Sequence, residues 1–162
     1  MKTIQILGLT VVAAISLAIV KQPWAEAGNS MNGSASMMKA KSASKSALAP
    51  ELQGKPVVVD IYASWCPACK SIAPTLSKLK QQYSGKVNFV VFDVSDRGST
   101  ASAQNRAKQL GLNNYFQAKK SQTALVAIIN PANGEVIQEF RGNANVKDYQ
   151  MALDKALQTV SK

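Results

Sequence analysis

Two runs of β-branched and aromatic residues, the first followed by a helical pattern, constrain the fold of this chain more than any other feature. Residues 56–63 and 87–94 are largely apolar on both faces, as strands buried within a sheet are. Between them, apolar residues recur from Ile72 to Tyr83 at spacings of four, three and four, the period of an amphipathic helix. This alternation predicts a domain in which strands and helices follow one another along the chain.

The remainder of the chain continues the alternation. A short helix is predicted at residues 103–110, followed by an uncertain stretch at residues 112–122 and a third strand at residues 123–129. Turn-forming residues then lead into a hairpin strand over residues 135–141, and Asn145 can cap a last helix. The predicted order is strand, helix, strand, helix, strand, strand, helix, in one domain without internal repeats.

The N-terminal residues have the pattern of a targeting segment. Lys2 precedes an uncharged apolar stretch at residues 6–20, and Ala25-Glu26-Ala27 is a small-x-small triplet of the kind that signal peptidase accepts. We therefore predict a signal peptide over residues 1–27. An uncleaved anchor is the alternative. It is disfavoured because a helix that spans a bilayer needs ~20 apolar residues, whereas the stretch from Ile4 to Val20 has 17. In either case the rest of the chain is expected in the periplasm or another extracytoplasmic compartment, such as an organelle lumen.

A basic segment follows the predicted signal. Residues 28–49 are rich in Ser, Ala, Met, Asn and Lys without an aromatic residue, which predicts a flexible linker before a domain at residues 50–162. The chain has 19 Lys and Arg against 9 Asp and Glu, a net charge of +10. Such a charge suits an anionic membrane surface or an acidic partner, with a solubilising tail as the alternative. Nothing aromatic is interleaved with the lysines, so a nucleic-acid partner is not predicted.

Composition excludes several classes of site. The chain contains no histidine, which excludes Ser-His-Asp and Cys-His catalysis and histidine-ligated metals. Its two cysteines are too few for a four-thiolate zinc site. We therefore predict neither a metal nor a cofactor, and the two thiols become the main candidates for chemistry.

Cys66 and Cys69 lie where the first strand passes into the first helix. Unpaired N–H groups at a helix N-terminus stabilise a thiolate, so we expect Cys66 to be a nucleophile near neutral pH. Cys69, one turn further in and less exposed, is the natural resolving thiol. A structural disulfide is the alternative. It is disfavoured because so short a loop gives little entropic stabilisation.

Residues 63–74, Ala-Ser-Trp-Cys-Pro-Ala-Cys-Lys-Ser-Ile-Ala-Pro, resemble the active-site signature of thioredoxins. The resemblance extends from about residue 56 to residue 162 and includes Asp60, an Asn-Gly-Glu hairpin turn and Gly142. It implies a thioredoxin-like α/β fold, with a central mixed β-sheet of parallel strands plus a C-terminal antiparallel hairpin, flanked by helices. The exported, basic arrangement is similar to that of extracytoplasmic or membrane-associated thioredoxin-like proteins.

The resemblance also implies a role for each site residue. Cys66 is the expected attacking thiol and Cys69 the resolving one. Asp60 matches the buried carboxylate that moves the proton of the second cysteine, the alternative being an Asp satisfied by local hydrogen bonds. Trp65 is expected to contact partners, with ordinary packing as the alternative. The predicted substrate-binding residues are Trp65, Pro67, Ala68, Gln122 and Thr123.

Three departures from the family pattern bear on these roles. Gln122 stands where thioredoxins have a cis-proline, and a trans bond is expected there because a non-proline cis bond costs ~3 kcal/mol. Val91 stands where many thioredoxins place a lysine near the buried Asp, which leaves Asp60 without that partner. Residues 113–120 resemble an insertion, forming either part of a partner surface or a loop. The residues of that candidate surface are Tyr115, Phe116, Lys119 and Lys120.

The predicted function is extracytoplasmic reduction of protein disulfides. Pro67 and Ala68 place neither charge nor imidazole between the cysteines, whereas strongly oxidising relatives commonly have a histidine there. Reduction in an oxidising compartment requires an electron donor, and a membrane thiol-transfer protein is the expected one. The alternatives are a thiol oxidant for secreted proteins and a non-catalytic binding or chaperone module.

Overall fold

Four strands and four α-helices make up the part of the chain that the computed structural model describes, residues 47–160. The elements follow the predicted order, with one additional helix before the third strand. Their bounds are β1 Val57–Tyr62, α1 Pro67–Gln82, β2 Asn88–Asp93, α2 Arg97–Gln109, α3 Asn113–Lys119, β3 Leu125–Asn130, β4 Glu135–Arg141 and α4 Val146–Val160, preceded by a single 3-10 turn at Pro50–Leu52.

The sheet has the strand order β2-β1-β3-β4. β1 pairs with β2 in parallel and with β3 in antiparallel orientation, and β3 and β4 form an antiparallel hairpin. At the centre of this sheet, Asp60 lies between Val91 of β2 and Val126 of β3. The predicted mixed sheet with flanking helices is therefore confirmed.

Side-chain alternation along β1 divides the core between the two faces of the sheet. Val57, Val59 and Ile61 pack with buried residues of α2 and α3 on one face. Val58 packs with residues of α1 and α4 on the other. Asp60 shares its parity with Val58, so its carboxyl lies on the face that α1 covers. That is also the face on which Cys66 and Cys69 pack.

Helix α1 carries the cysteine pair at its N-terminus and is fixed by its apolar side. Ile72, Leu76 and Leu79 are buried on this side, as the predicted amphipathic pattern requires. Pro67 occupies the first turn, where its missing N–H has no partner to lose. Packing of the apolar side therefore holds the start of the helix at the end of β1.

The segment predicted as an insertion is helix α3. Phe116 is fully buried, and its ring packs edge-on against Phe92 of β2 with centroids 5.2 Å apart. Lys119 Nζ lies 2.9 Å from Glu139 Oε2 of β4. The proposed partner surface is wrong for Phe116, and the loop alternative is wrong for residues 113–119, because apolar burial against the sheet determines this segment.

The domain begins earlier than the sequence indicates. Leu48 is buried, and its amide donates to the carbonyl of Pro131 at 2.8 Å. The amide of Ala49 donates to the carbonyl of Leu110 at 3.1 Å. The predicted linker at residues 28–49 is thus wrong at its end, because its last apolar residues belong to the core.

The other N-terminal predictions fall on residues that the structure does not describe. The signal peptide or anchor at residues 1–27 and the linker up to residue 46 lie outside the described range. Within residues 47–160, no helix combines the length and apolar character needed to cross a bilayer.

Candidate active site

The junction between β1 and α1 holds Cys66 at the helix N-cap. The first N–H groups of a helix have no partner within the helix, and an N-cap side chain accepts from one of them. Here the Cys66 sulfur accepts from the Cys69 amide at 3.1 Å, and the Cys66 amide donates to the carbonyl of Ala63 at 3.1 Å. The first sulfur therefore lies against the positive end of the helix.

Both cysteines are free thiols and both are buried. Cys66 is 4% exposed and Cys69 2%, so the predicted difference in exposure is small. Trp65, Pro67 and Ala68 around them are exposed. Their different surroundings, rather than their exposure, therefore distinguish the two sulfurs.

The surroundings of Cys66 favour the thiolate. Burial by itself raises the pKa of Cys66, but hydrogen bonds from Cys69, Thr123 and the amide of Ala68 outweigh it. The pKa of the Cys66 thiol is consequently below its ordinary value. A lowered pKa increases the thiolate fraction at neutral pH, and the thiolate is the nucleophile.

Cys69 lies in the opposite situation. Burial, together with the hydrogen bond to Cys66, raises the pKa of its thiol to about 11. Its sulfur is directed at the carbonyl oxygen of Ile61, 3.9 Å away. Cys69 therefore keeps its proton near neutral pH and requires a base before it can attack.

Asp60 is a buried carboxyl on the face of the sheet against which the two sulfurs pack. The residue is 8% exposed, and its Oδ1 atom is buried without a hydrogen-bond partner. Desolvation raises the pKa of Asp60 to about 6, against the opposing charge of Lys80. The alternative, in which local hydrogen bonds satisfy the whole carboxyl of Asp60, is wrong, because its Oδ1 atom has no hydrogen-bond partner. A carboxyl with this pKa can take up and release a proton near neutral pH.

A cleft of about 290 Å³ separates α1 from β2 beside Asp60. Lys80 lines it from α1, while Val91, which pairs with Asp60 across the parallel strands, lines it from β2. The lysine that many thioredoxins place on this strand is therefore absent, as expected, and Lys80 of α1 provides a cation to the same cleft instead. Ala73, Leu76, Ser77 and Lys80 share one side of α1, a helical spacing that could have revealed this lysine from the sequence.

Trp65 is an exposed side chain held at its polar end. It is 61% exposed, and its Nε1 donates to the carbonyl of Ser95 at 2.9 Å. The Ser95 hydroxyl donates to the Asp93 carboxylate and accepts from the Ser64 amide. The alternative of ordinary packing is wrong for Trp65, because most of its indole is exposed. The sequence analysis missed Asp93 and Ser95, although segments that follow parallel neighbouring strands meet at one edge of a sheet.

The segment before β3 approaches the sulfurs through Thr123. The Thr123 side chain is among the groups that lower the pKa of Cys66, whereas the amide of Gln122 donates back to the carbonyl of Lys119 at 2.8 Å. No cis peptide bond occurs in residues 47–160, which confirms the trans bond expected at Gln122. Of the two residues predicted to line this rim, Thr123 is therefore the one whose side chain affects the pKa of Cys66.

Metal-binding geometry is not found within the described range. No group of three or more His, Cys, Asp or Glu side chains in residues 47–160 could hold a metal ion. The two thiols lie together at the start of α1, and the Asp60 carboxyl lies on the same face of the sheet, a set suited to thiol chemistry and proton transfer.

Comparisons of sequence point to one family. Residues 37–108 match the family model described as thioredoxin. The Arabidopsis thaliana protein named "Thioredoxin-like protein HCF164, chloroplastic" is 51% identical over 43 residues, which are 26% of this chain and 16% of that protein. The Synechocystis "Thiol:disulfide interchange protein TxlA homolog" is 44% identical over 43 residues, 26% of this chain and 24% of the relative. The chain spans less than half the length of these curated relatives.

A longer match and a solved structure complete the comparison. "Thioredoxin H-type" of Chlamydomonas reinhardtii is 40% identical over 74 residues, covering 45% of this chain and 66% of that protein. The X-ray structure of Fasciola hepatica thioredoxin aligns with a TM-score of 0.44 at 22% identity, over 65% of this chain and 85% of the other. The matched sequence region includes Cys66 and Cys69. The part of the chain that matches the thioredoxin family therefore carries these two residues as its Cys-x-x-Cys pair.

Proposed function

We propose that this protein is an extracytoplasmic thiol-disulfide oxidoreductase that reduces protein disulfides through Cys66 and Cys69. The observation that carries the proposal is the opposite direction of the two pKa changes. The pKa of Cys66 is lowered by hydrogen-bond donors and that of Cys69 is raised by burial. One sulfur is thereby prepared to attack, and the other is kept protonated until it is needed.

The first step consumes the Cys66 thiolate. Its sulfur attacks one sulfur of the substrate disulfide, so that the substrate S–S bond breaks and a mixed disulfide with Cys66 forms. The departing substrate sulfur leaves with the electron pair of the broken bond and takes up a proton from solvent. The Cys69 amide, 3.1 Å from the Cys66 sulfur, holds the attacking atom in place.

The second step needs the proton of Cys69. Asp60, as a carboxylate, accepts this proton, directly or through water, because its pKa of about 6 leaves it largely ionised at neutral pH. The Cys69 thiolate then attacks the Cys66 sulfur, which closes the protein disulfide and releases the second substrate sulfur as a thiolate. In total, two electrons pass from the protein dithiol to the substrate, which becomes a dithiol.

Two features support the reductive direction and the need for a donor. No cation or imidazole lies between the cysteines, where it would stabilise the reduced form further and make the pair a stronger oxidant. Once oxidised, the pair must regain two electrons and two protons. A membrane protein with a reduced thiol pair is the proposed donor, because cytosolic reductants do not reach an extracytoplasmic compartment.

The compartment is proposed from the sequence and from the names of relatives. Residues 1–27 have the charge and apolar pattern of a signal segment. The relatives include a chloroplastic thioredoxin-like protein and a thiol:disulfide interchange protein. The basic residues 39, 41 and 45 suit an anionic membrane surface next to a membrane donor.

Protein disulfides, rather than small disulfides, are the proposed substrates. Trp65, Pro67 and Ala68 form an exposed, mainly apolar rim around two buried sulfurs. Gln122 and Thr123 complete the rim from the segment before β3. Such a rim offers contact area to a polypeptide that presents its disulfide to Cys66.

Reduction of insulin disulfides in the presence of dithiothreitol tests the proposal. The full chain should accelerate insulin precipitation, and the Cys66→Ser variant should return the rate to that of dithiothreitol alone. Ser71→Ala is the control, since it changes an exposed position of the same helix, leaves both thiols in place and should keep the full rate. Equal rates for the full chain and Cys66→Ser would contradict the proposed enzymatic activity and would favour a non-catalytic binding module. A glutathione redox titration that gives the potential of a strong oxidant would overturn the reductive direction.

A further inference from the structure

The end of α3 and the end of β4 bring three cationic residues to one region of the molecule. Lys119 is the last residue of α3, Lys120 is its C-cap, and Arg141 is the last residue of β4. Lys119 reaches β4 through its contact with Glu139, two residues before Arg141. Glu139 and Arg141 pair with residues of β3 that pack with α2 and α3, so both side chains lie on the face that α3 covers. Lys119, Lys120 and Arg141 form the basic surface.

Most of the charge of the basic surface is not neutralised. Its acidic neighbour is Glu139, whose Oε2 atom lies 2.9 Å from Lys119 Nζ. No hydrogen bond or ion pair engages the side chains of Lys120 and Arg141 within residues 47–160. Arg141 is exposed and Lys120 is half-buried, so a partner protein can reach both. Two of the three cations are therefore free to bind an anion.

The basic surface adjoins the rim of the active site from two directions. Arg141 is followed by Gly142, and a Cβ on that glycine would lie 3.9 Å from the Cβ of Ala68, between the two cysteines. Lys120 is two residues before Gln122, which belongs to the rim in front of β3. A polypeptide that presents a disulfide to the buried sulfurs therefore passes close to both cations.

The opposite side of the rim, where β2 ends, has a different charge. Asp93 is the last residue of β2 and Asp96 caps α2, whereas Arg97 begins α2. Both carboxylates accept hydrogen bonds from nearby serines, and neither forms an ion pair in the part of the chain that the structure describes. A partner that spans the rim thus meets anions on one side and cations on the other. Such an arrangement selects both the orientation and the charge of a partner.

We propose that the basic surface binds acidic residues that flank the disulfide of a protein substrate. The inference rests on the proposed thiol-disulfide exchange and names the class of substrate on which it acts. An extended polypeptide advances about 3.3 Å per residue, so residues two or three positions from a substrate cysteine lie about 7–10 Å from it. A substrate bound at Cys66 therefore carries its flanking residues across the rim, toward Lys120 and Arg141. A lipid surface has no such constraint, because no lipid group has to approach the sulfurs.

Exposed charges at a rim act mainly on association. They attract a partner of opposite sign during encounter and leave the bond-making steps at sulfur unchanged. The preference for acidic substrates should therefore appear in KM and kcat/KM, with kcat nearly constant. Salt should weaken it, because the Debye length falls from ~10 Å at 0.1 M to ~3 Å at 1 M ionic strength.

Reduction of synthetic peptides by the full chain tests the proposal. Each peptide has one intramolecular disulfide, and the residues that flank its cysteines are glutamate, serine or lysine. Wild-type kcat/KM should be about tenfold higher for the glutamate peptide than for the lysine peptide at low salt, and about twofold higher at ~0.5 M salt. The double variant Lys120→Gln with Arg141→Gln should lose about fivefold with the glutamate peptide and much less with the serine peptide.

The matched control is the double variant Lys86→Gln with Lys108→Gln, which removes the same net charge. Both lysines are exposed and lie at the opposite end of the sheet, one before β2 and one in the last turn of α2. This variant should keep the wild-type preference for the glutamate peptide. An equal loss in the control would show that overall charge selects the substrate, and the role of the basic surface would be wrong.

The remaining outcomes separate this inference from the proposed function. Equal wild-type kcat/KM for the glutamate and lysine peptides would overturn the acidic preference, while reduction of the serine peptide would still support the oxidoreductase. If no peptide is reduced, the proposed function fails. Fluorescence anisotropy of a labelled glutamate peptide with serines in place of its cysteines then tests the basic surface alone, since weaker binding by Lys120→Gln with Arg141→Gln supports it and equal binding overturns it.

Sedimentation with phosphatidylserine vesicles distinguishes the polypeptide from a membrane. If Lys120→Gln with Arg141→Gln loses vesicle binding but keeps the wild-type preference for the glutamate peptide, the basic surface binds lipid and the proposal is wrong. Loss of the peptide preference with unchanged vesicle binding supports the acidic substrate.

Discussion

The N-cap of helix α1 and its first turn give two chemically identical thiols opposite properties. At the helix start, Cys66 gains hydrogen bonds from Cys69, Thr123 and Ala68, and these outweigh the desolvation of its sulfur. One turn further in, Cys69 meets few compensating donors, and desolvation dominates. The comparison teaches that the arrangement of donors, and not exposure, divides the roles, since the two residues are about equally buried.

The largest expected effect comes from removing the Cys69 thiol, which resolves the mixed disulfide. Cys69→Ser should leave the first attack intact and block the second, so the mixed disulfide between Cys66 and substrate accumulates instead of turning over. Non-reducing electrophoresis and intact mass measurement with insulin as substrate check this. A Cys66→Ser variant that traps substrate through Cys69 would reverse the assignment of the two sulfurs.

Replacing Asp60, the proposed base for Cys69, should have the next largest effect. Asp60→Asn should slow resolution of the mixed disulfide by about tenfold to a hundredfold at pH 7, because the Cys69 proton loses its acceptor. Rapid-quench measurement of the second step checks this, with Glu51→Gln as an exposed carboxyl control. An unchanged rate would show that solvent alone deprotonates Cys69.

The same substitution should stabilise the fold in a pH-dependent way. The folded protein raises the pKa of Asp60 from 3.8 to about 6, so it holds a proton that the unfolded chain releases, and the free energy of unfolding falls as pH rises through this window. Asp60→Asn should gain about 2 kcal/mol at pH 7 and much less near pH 4. Urea unfolding at both pH values measures the gain. An equal gain at both would contradict desolvation as its cause.

The exposed rim should affect binding rather than sulfur chemistry. Trp65→Ala should raise KM for insulin about fivefold with little change in kcat, because it removes contact area but no donor to Cys66. Trp65→Phe keeps an aromatic surface without the Nε1 hydrogen bond to Ser95, so its KM should lie between those of the wild-type chain and Trp65→Ala. A fall in kcat at constant KM would place Trp65 in the chemistry instead.

The smallest effect concerns the lysine in the cleft. Lys80→Gln should raise the pKa of Asp60 further, because it removes the opposing charge. The rate of mixed-disulfide resolution, measured against pH, should therefore have its acid limb moved up by about half a pH unit. Adding Val91→Lys to this variant should restore the profile, because residue 91 lines the same cleft from β2. Lys78→Gln is the control. Failure of the relocated lysine to restore the profile would contradict an electrostatic role.

The fold could be predicted from the sequence where burial follows a simple period. The apolar run of β1 and the spacing of Ile72, Leu76 and Leu79 identify a strand and a helix without further information. Helix α3 escaped prediction because it is short and depends on Phe116 packing against Phe92. Leu48 escaped because the composition around it is that of a linker.

The candidate site also contains residues that could be predicted from the sequence and residues that could not. Cys66, Cys69 and Asp60 follow from local spacing and from resemblance, and the sequence reveals them. The left-handed backbone of Ala124, in the segment before β3, could not be predicted, because only a glycine or asparagine would have signalled it. The support that Ser95 gives to Trp65 depends on the meeting of segments that follow β1 and β2.

The central claim, that the two thiols differ in acidity in a fixed order, is tested most directly by titrating each sulfur separately. NMR of the reduced full chain with ¹³Cβ-labelled cysteine follows both residues with pH, and the Cys69→Ser variant assigns the signals. The account predicts that Cys66 titrates below the ordinary value of 9.0 and Cys69 near 11. Titration of Cys69 at or below the pKa of Cys66 would contradict it.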